Sequence, residues 1–257
     1  MTEKMAESDF RFVAHLDMLG MSKLTVRDPD LAWACLSRLV EARRQSLNLE
    51  IEILPSHRRV PLHDHVHSVT FSDTMVLFTK SDEEDDLRSI LVLCTELYSQ
   101  LLHHSVPFRG GLVHGQFRFN LDHSIFSGPA LVESYRLGER AQWLGLIVDK
   151  VVAERSRVYG LQAGTSVPVI VEWDVPVQPE KALCGLRKKN GVVRQSVVNW
   201  PAVFRRNFTV PPPISVKCFY QAFEQLFGLF EKLSQKEQAK YKNTVAFINA
   251  MLSGVST

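Results

Sequence analysis

Asp17 stands inside an otherwise apolar run, "FVAHLDMLGMSKL" over residues 12–24, and Gly20 follows it three residues later. An unpaired carboxylate is costly to bury, so a fold that places one here must also supply a partner. A second aspartate, Asp73, falls where two strand-like runs meet in "HSVTFSDTMVLFTK". Adjacent strands of one sheet would bring both carboxylates to a single edge. Held close, they repel and raise each other's pKa unless a cation sits between them. Mg²⁺ and Mn²⁺ suit such a pair, because hard divalent ions take one or two carboxylates plus substrate phosphates rather than a full protein cage. Gly20 would let the backbone approach a phosphate. Spacing alone leaves a plainer reading open, in which Asp17 caps the next helix and Asp73 fills a turn.

The elements that must position these residues follow from the period of the apolar side chains. Residues 10–16 alternate and read as a strand ending at Asp17, and "DPDLAW" opens a helix with Leu36, Leu39 and Val40 on one stripe. Residues 50–54 could add a short strand. Two β runs meet at Ser72-Asp73 as a hairpin with a tight turn. In the following segment Leu87, Ile90, Leu91, Cys94, Leu97, Tyr98 and Leu101 keep helical spacing, and Ser81 with Glu84 reads as a capping box. "VPFRGGLVHGQF" is a strand in which Gly110, Gly111 and Gly115 mark bends or close backbone approach. "GPALVESYRLGERAQ" is helical, and "GLIVDKVVAE" is a strand end or a strand–helix junction. This alternation predicts an α+β fold, one sheet faced by helices. Beyond about residue 165 come a strand in "VPVIVEWDVPV", a loop-rich stretch and two closing helices. The first helix carries Phe219, Phe223, Leu226, Phe227 and Phe230; the second opens on a Ser234–Glu237 capping box.

Bulk composition narrows the function classes. The 257 residues are 45% hydrophobic and 23% charged with a net charge of +2, which gives no reason to invoke nucleic acid or an anionic membrane surface. The basic runs at 187–189 and 205–206 read as solvated loop faces. Cys35, Cys94, Cys184 and Cys218 are far apart without a CxxC pair, so neither a disulfide framework nor a zinc site is expected, and a reducing cytoplasm fits. The charged first ten residues lack an apolar signal-peptide core, and no stretch reaches the about 18 apolar residues of a membrane span. His63, His65 and His67 in "HDHVH" would share one face of a strand, but no carboxylate or cysteine at ligand spacing accompanies them.

Four segments, in order, resemble class III nucleotidyl cyclases. "FVAHLDMLGMSKL" is similar to their first metal-binding segment and "VTFSDTMVLF" to the hairpin bearing the second metal aspartate, with Ser72 where glycine is usual. "FRGGLVHGQF" resembles the family strand R-x-G-[apolar]-x-x-G. "GPALVESYRL" resembles the helix that begins with glycine and carries an arginine eight residues on. The likeness is greatest to the stand-alone bacterial pyrimidine cyclases of anti-phage Pycsar systems, through "LDMLG", "FSDT", "FSGPALVESYRLGERAQ" and "VVNWP".

That resemblance implies a class III cyclase-like sheet on a ferredoxin-like core, with a catalytic domain over residues 1–165. A C-terminal extension over 166–257, a strand and then helices, would pack on the same domain. It implies attack of a ribose 3′-hydroxyl on the α-phosphate of UTP or CTP, giving the 3′,5′-cyclic nucleotide and pyrophosphate as a second messenger in anti-phage defence. Asp17, Asp73 and the Met18 carbonyl would hold two Mn²⁺ or Mg²⁺ ions per site. Arg136 would stabilise charge on the α-phosphate, Gly20 would leave room for phosphates, and Arg109 would touch the terminal phosphates. Val69 and Ile125 occupy the positions that read the base edge in purine cyclases, and neither can make those hydrogen bonds. His67 and Tyr135 are further candidate base or ribose contacts. The asparagine usual four residues before the arginine is Val132 here, which leaves ribose positioning to another group. The expected partners are the nucleoside triphosphate, a second copy of the chain completing each site across a two-fold interface, and a separate effector for the cyclic product. Neither nucleic acid nor direct membrane contact is expected. A non-catalytic nucleotide-binding relative is the rival reading; a metal-dependent phosphohydrolase is the third.

Overall fold

The structure, a computed structural model, describes residues 9–53, 57–163, 167–178, 191–204 and 213–253. Cys184 and the basic runs at 187–189 and 205–206 lie outside the described residues. In chain order the elements are β1 (Phe10–Met18), α1 (Met21–Arg27), α2 (Pro29–Leu47), β2 (Glu50–Ile53), β3 (Arg58–Pro61), β4 (Val66–Phe71), β5 (Thr74–Thr79) and α3 (Glu84–His103). Next come β6 (Phe108–Gln116), β7 (Arg118–Asn120), β8 (Ile125–Ser127), α4 (Pro129–Glu139), β9 (Leu146–Val148) and α5 (Lys150–Val158). The remainder comprises β10 (Gln162–Ala163), β11 (Val167–Pro168), β12 (Ile170–Pro176), β13 (Val192–Val198), α6 (Trp200–Phe204), α7 (Val216–Gln221), α8 (Glu224–Phe227) and α9 (Gln235–Leu252).

Seven strands form one sheet in the order β12-β13-β9-β6-β1-β5-β4. All its pairs are antiparallel except β6 with β9. β1 lies inside the sheet, which is why Phe12, Val13, Ala14 and Leu16 are all buried and the strand reads as a continuous apolar run. Phe12, Ala14 and Leu16 join the main core with α2 and α3, whereas Val13 joins a second cluster with Phe78, Val113, Phe117 and Ala130 of α4. α4 therefore covers the face of β1 opposite to α3. It can do so because β6 offers no side chains in its path. A Cβ on Gly111 would meet the Ser134 carbonyl oxygen at 2.4 Å, and one on Gly138 the Gly110 Cα at 2.7 Å. The expected close backbone approach on this strand is thus the seat of a helix.

Local readings are kept or changed for identifiable reasons. All seven stripe residues of α3 are buried. Its expected capping box is not formed: Ser81 instead donates its hydroxyl to Asp86, which also accepts from the Ser81 amide at 2.8 Å and pairs with His65 Nδ1 at 2.7 Å. A buried carboxylate one turn into the helix outcompetes the local bond. The three histidines do not share a strand face, because a 3₁₀ turn at Leu62–Asp64 breaks the run. His67 packs against Phe78 and Phe119, while His63 faces the Leu47 carbonyl. The first C-terminal helix is split into α7 and α8, ended by Gly228 at φ 84°. The Ser234–Glu237 capping box opens α9 as expected. No helix among the described residues is long and apolar enough to cross a membrane.

Candidate active site

β1 leaves the core at Asp17, and both neighbours converge on that point. Asp17 sits opposite Thr74 of β5 and Arg109 of β6. The Met18 amide donates to the Asp73 carbonyl at 2.9 Å, which ties the β4–β5 turn to the end of β1. The structure thereby brings Asp17, Met18 and Asp73 to one edge of the sheet. Arg109 donates to Asp17 Oδ2 from Nε and Nη2, both at 3.2 Å, and its Nη1 donates to the Glu139 carbonyl at 2.8 Å. The guanidinium thus satisfies an end carbonyl of α4 while neutralising the carboxylate. Arg109, the residue expected on the terminal phosphates, is engaged here with Asp17. The Asp73 carboxylate makes no hydrogen bond or ion pair among the described residues. One Asp17 oxygen, the free Asp73 carboxylate and the Met18 carbonyl are hard oxygen donors of the kind a substrate-bound divalent cation takes. No group of three or more histidine, cysteine or acidic side chains suited to a metal occurs among the described residues, so these donors would have to be completed by substrate.

The other candidates are distributed around this edge. Gly20 caps α1 at φ 85°, and a Cβ there would stand 2.8 Å from the Phe227 ring. Its missing side chain makes room for α8 as well as for backbone access. Tyr135 meets His15 edge-on, with ring centroids 5.2 Å apart. Two residues before Asp17, His15 projects from the same side of β1, and burial lowers its pKa against the pull of the Asp17 carboxylate. Arg136 points outward from α4 and bonds Glu133 at 2.8 Å. Val69 packs against the Phe78–Phe117 cluster, whereas Ile125 on β8 is 58% exposed and Val132 on α4 is 47% exposed. Among the described residues, no hydrogen bond, ion pair or ring contact joins Arg136, Val69 or Ile125 to Asp17.

The architecture has solved counterparts. It aligns with the catalytic core of a rhodopsin-guanylyl cyclase with converted specificity, solved in complex with ATPαS. The TM-score is 0.51 at 13% identity, over 74% of this chain and 94% of that one. The fold is that of a class III cyclase catalytic domain. The adenylyl cyclase CyaB from P. aeruginosa aligns with a TM-score of 0.49 at 11% identity, over 74% of this chain and 93% of that one. No family model matches the sequence. No curated protein matches it either. On this cyclase fold, two residues that spacing did not single out lie within electrostatic reach of Asp17. His15 was legible in principle, since period 2 along a strand puts it with Asp17. Lys240 was not. It reaches the site from α9, and its pKa is pushed down to about 8 by burial, then by Arg109 and Lys236, against Asp17 and Glu237.

Proposed function

We propose that the protein is a nucleotidyl cyclase that converts UTP or CTP to the 3′,5′-cyclic nucleotide and pyrophosphate. The observation that carries this reading is the meeting of Asp17 and Asp73 at one sheet edge of a cyclase-type fold, one carboxylate balanced by Arg109 and the other without a partner among the described residues. Asp17, Asp73 and the Met18 carbonyl would hold two Mg²⁺ or Mn²⁺ ions. Such ions, when bound, lower the pKa of the attacking ribose hydroxyl and neutralise the leaving pyrophosphate. Arg109 keeps the Asp17 carboxylate oriented toward the edge.

The second half of each site comes from another copy. Arg136 is exposed, and Phe71, Ile125, Val132 and Tyr135 are large side chains left open at the end of β4, on β8 and on α4. A two-fold dimer would cover them and bring Arg136 of the partner subunit to the α-phosphate, where positive charge acts mainly in the transition state. Val69 and Ile125 offer no hydrogen bond to a purine edge, which favours a pyrimidine. A role in anti-phage signalling through a separate effector follows from the Pycsar resemblance.

The test is incubation of the purified protein with each of the four ribonucleoside triphosphates and Mn²⁺, with products identified by mass spectrometry. Cyclic UMP or CMP that disappears in Asp73→Ala supports the reading. Nucleotide binding without turnover would replace it with a non-catalytic module, consistent with Val132 in place of asparagine. Release of phosphate and diphosphate would make it a hydrolase.

A further inference from the structure

Lys240 is held in place by a C-terminal segment that is fastened to the site at several points. Lys23 of α1 pairs with Glu237 at 2.6 Å, and Arg27 donates to the Leu226 carbonyl. Further along α9, Asn243 donates to the Gln142 carbonyl at 2.7 Å, and Thr244 accepts from the Leu144 amide at 2.8 Å. These bonds satisfy the loop that follows α4, the same loop whose Ala141 carbonyl, with the Glu139 carbonyl at the end of α4, receives Arg109. Between α9 and the β1–α1 turn remains a cavity of about 60 Å³, lined by Leu19, Gly20, Phe227, Glu237 and Lys240 among others.

The half-buried Lys240 ammonium makes no hydrogen bond or ion pair among the described residues. Its electrostatic surroundings are Arg109 on β6, Asp17 on β1, and Lys236 and Glu237 on its own helix. Glu237 is already engaged by Lys23 and Ser234, and Asp17 by Arg109. A partly desolvated cation within electrostatic reach of a guanidinium is unfavourable unless something anionic joins it. The charges of the edge point to what that is. Arg109 and Lys240 cancel Asp17 and Asp73, so any divalent cation added there leaves the site positive, and its complement is a polyanion.

We propose that Lys240 is a substrate-binding residue that contacts the terminal phosphates of the nucleoside triphosphate. The C-terminal helical segment then completes the site instead of only packing on it. This rests on the reading of Asp17 and Asp73 as the triphosphate site. It differs from a structural role in one respect: only ligands that carry the terminal phosphates should sense the lysine.

Calorimetric titration of wild type, Lys240→Gln, Lys240→Arg and Lys236→Gln with UTP and UMP in Mn²⁺, and with CTP and CMP as a second pair, makes the test. A lost charge-assisted contact should weaken triphosphate binding about tenfold or more in Lys240→Gln. Monophosphate binding should stay within about twofold, Lys240→Arg should recover most of the loss, and Lys236→Gln should match wild type. Equal losses for tri- and monophosphate, or no loss, would overturn the assignment. Failure of the cyclase reading shows separately, as wild type that binds triphosphate but forms no cyclic product. Wild type that binds no triphosphate at all would overturn both.

Discussion

Arg109 grips Asp17 through two nitrogens at 3.2 Å on a single carboxylate oxygen, while Asp73, in the turn just before the Thr74 that faces Asp17, has no such partner among the described residues. The two aspartates are therefore equivalent for the proposed chemistry and unequal for stability. Asp17→Asn and Asp73→Asn should each lower cyclic-nucleotide formation by about a hundredfold or more. In urea unfolding, Asp17→Asn should cost about 1–3 kcal/mol, because it removes a charge-assisted pair from a largely buried guanidinium. Asp73→Asn should stay within about 0.5 kcal/mol. Equal destabilisation would show that the pair with Arg109 is not what holds this edge.

The seat of α4 on β6 can be tested by adding single methyl groups. Gly111→Ala places a Cβ 2.4 Å from the Ser134 carbonyl oxygen, and backbone must move to relieve it. Overpacking of this kind costs about 1–3 kcal/mol and would displace the helix that carries Tyr135 and Arg136. Gly115→Ala meets only Ala130, nearest at its Cβ at 3.3 Å, and should cost less than about 1 kcal/mol. Thermal melts and turnover of the two variants should separate in the same order.

Ser72 adopts φ 54° at the tip of the β4–β5 hairpin, beside Asp73. The left-handed conformation costs a residue with a side chain about 1–2 kcal/mol, which explains why glycine suits this position. Ser72→Gly should leave stability unchanged or raise it by up to about 1 kcal/mol after its backbone entropy is counted. Ser72→Val should lower it by about 1 kcal/mol or more. A more stable valine variant would mean that the turn is not held in this conformation.

Acid should loosen the C-terminal segment. Burial acts to raise the Glu237 pKa, but bonds from Lys23 and Ser234 outweigh it and bring the group down to about 2. The folded value lies below the unfolded one, so the stabilisation is complete above the unfolded carboxylate range and is lost as pH falls toward about 2. Melting temperatures of wild type and Glu237→Gln should differ most near pH 6 and converge between about pH 4.5 and 2. A gap that persists unchanged to pH 2 would rule out this linkage.

Much of the fold was legible because its signals are local. The apolar period of α3, the Ser72-Asp73 turn and the Ser234–Glu237 box need only neighbours a few residues apart, and the structure keeps all three. Where local signals misled, a distant partner had won. Ser81 abandoned its box for buried Asp86, and the "HDHVH" run was broken by a 3₁₀ turn whose histidines serve different neighbours. The aromatic stripe of residues 219–230 named its buried face correctly at Phe219, Phe223 and Leu226, but Gly228 ended the helix that spacing suggested.

The candidate site divides in the same way. The sequence by itself determined that Asp17 ends a buried strand and Asp73 tips a hairpin, because alternation and turn chemistry are written in adjacent residues. Only the tertiary structure decided that Arg109 binds Asp17, that Phe227 closes over Gly20, and that Lys240 arrives from α9. Those contacts join residues far apart in the chain, and their energies are set by burial and charge at a shared edge that no local pattern encodes.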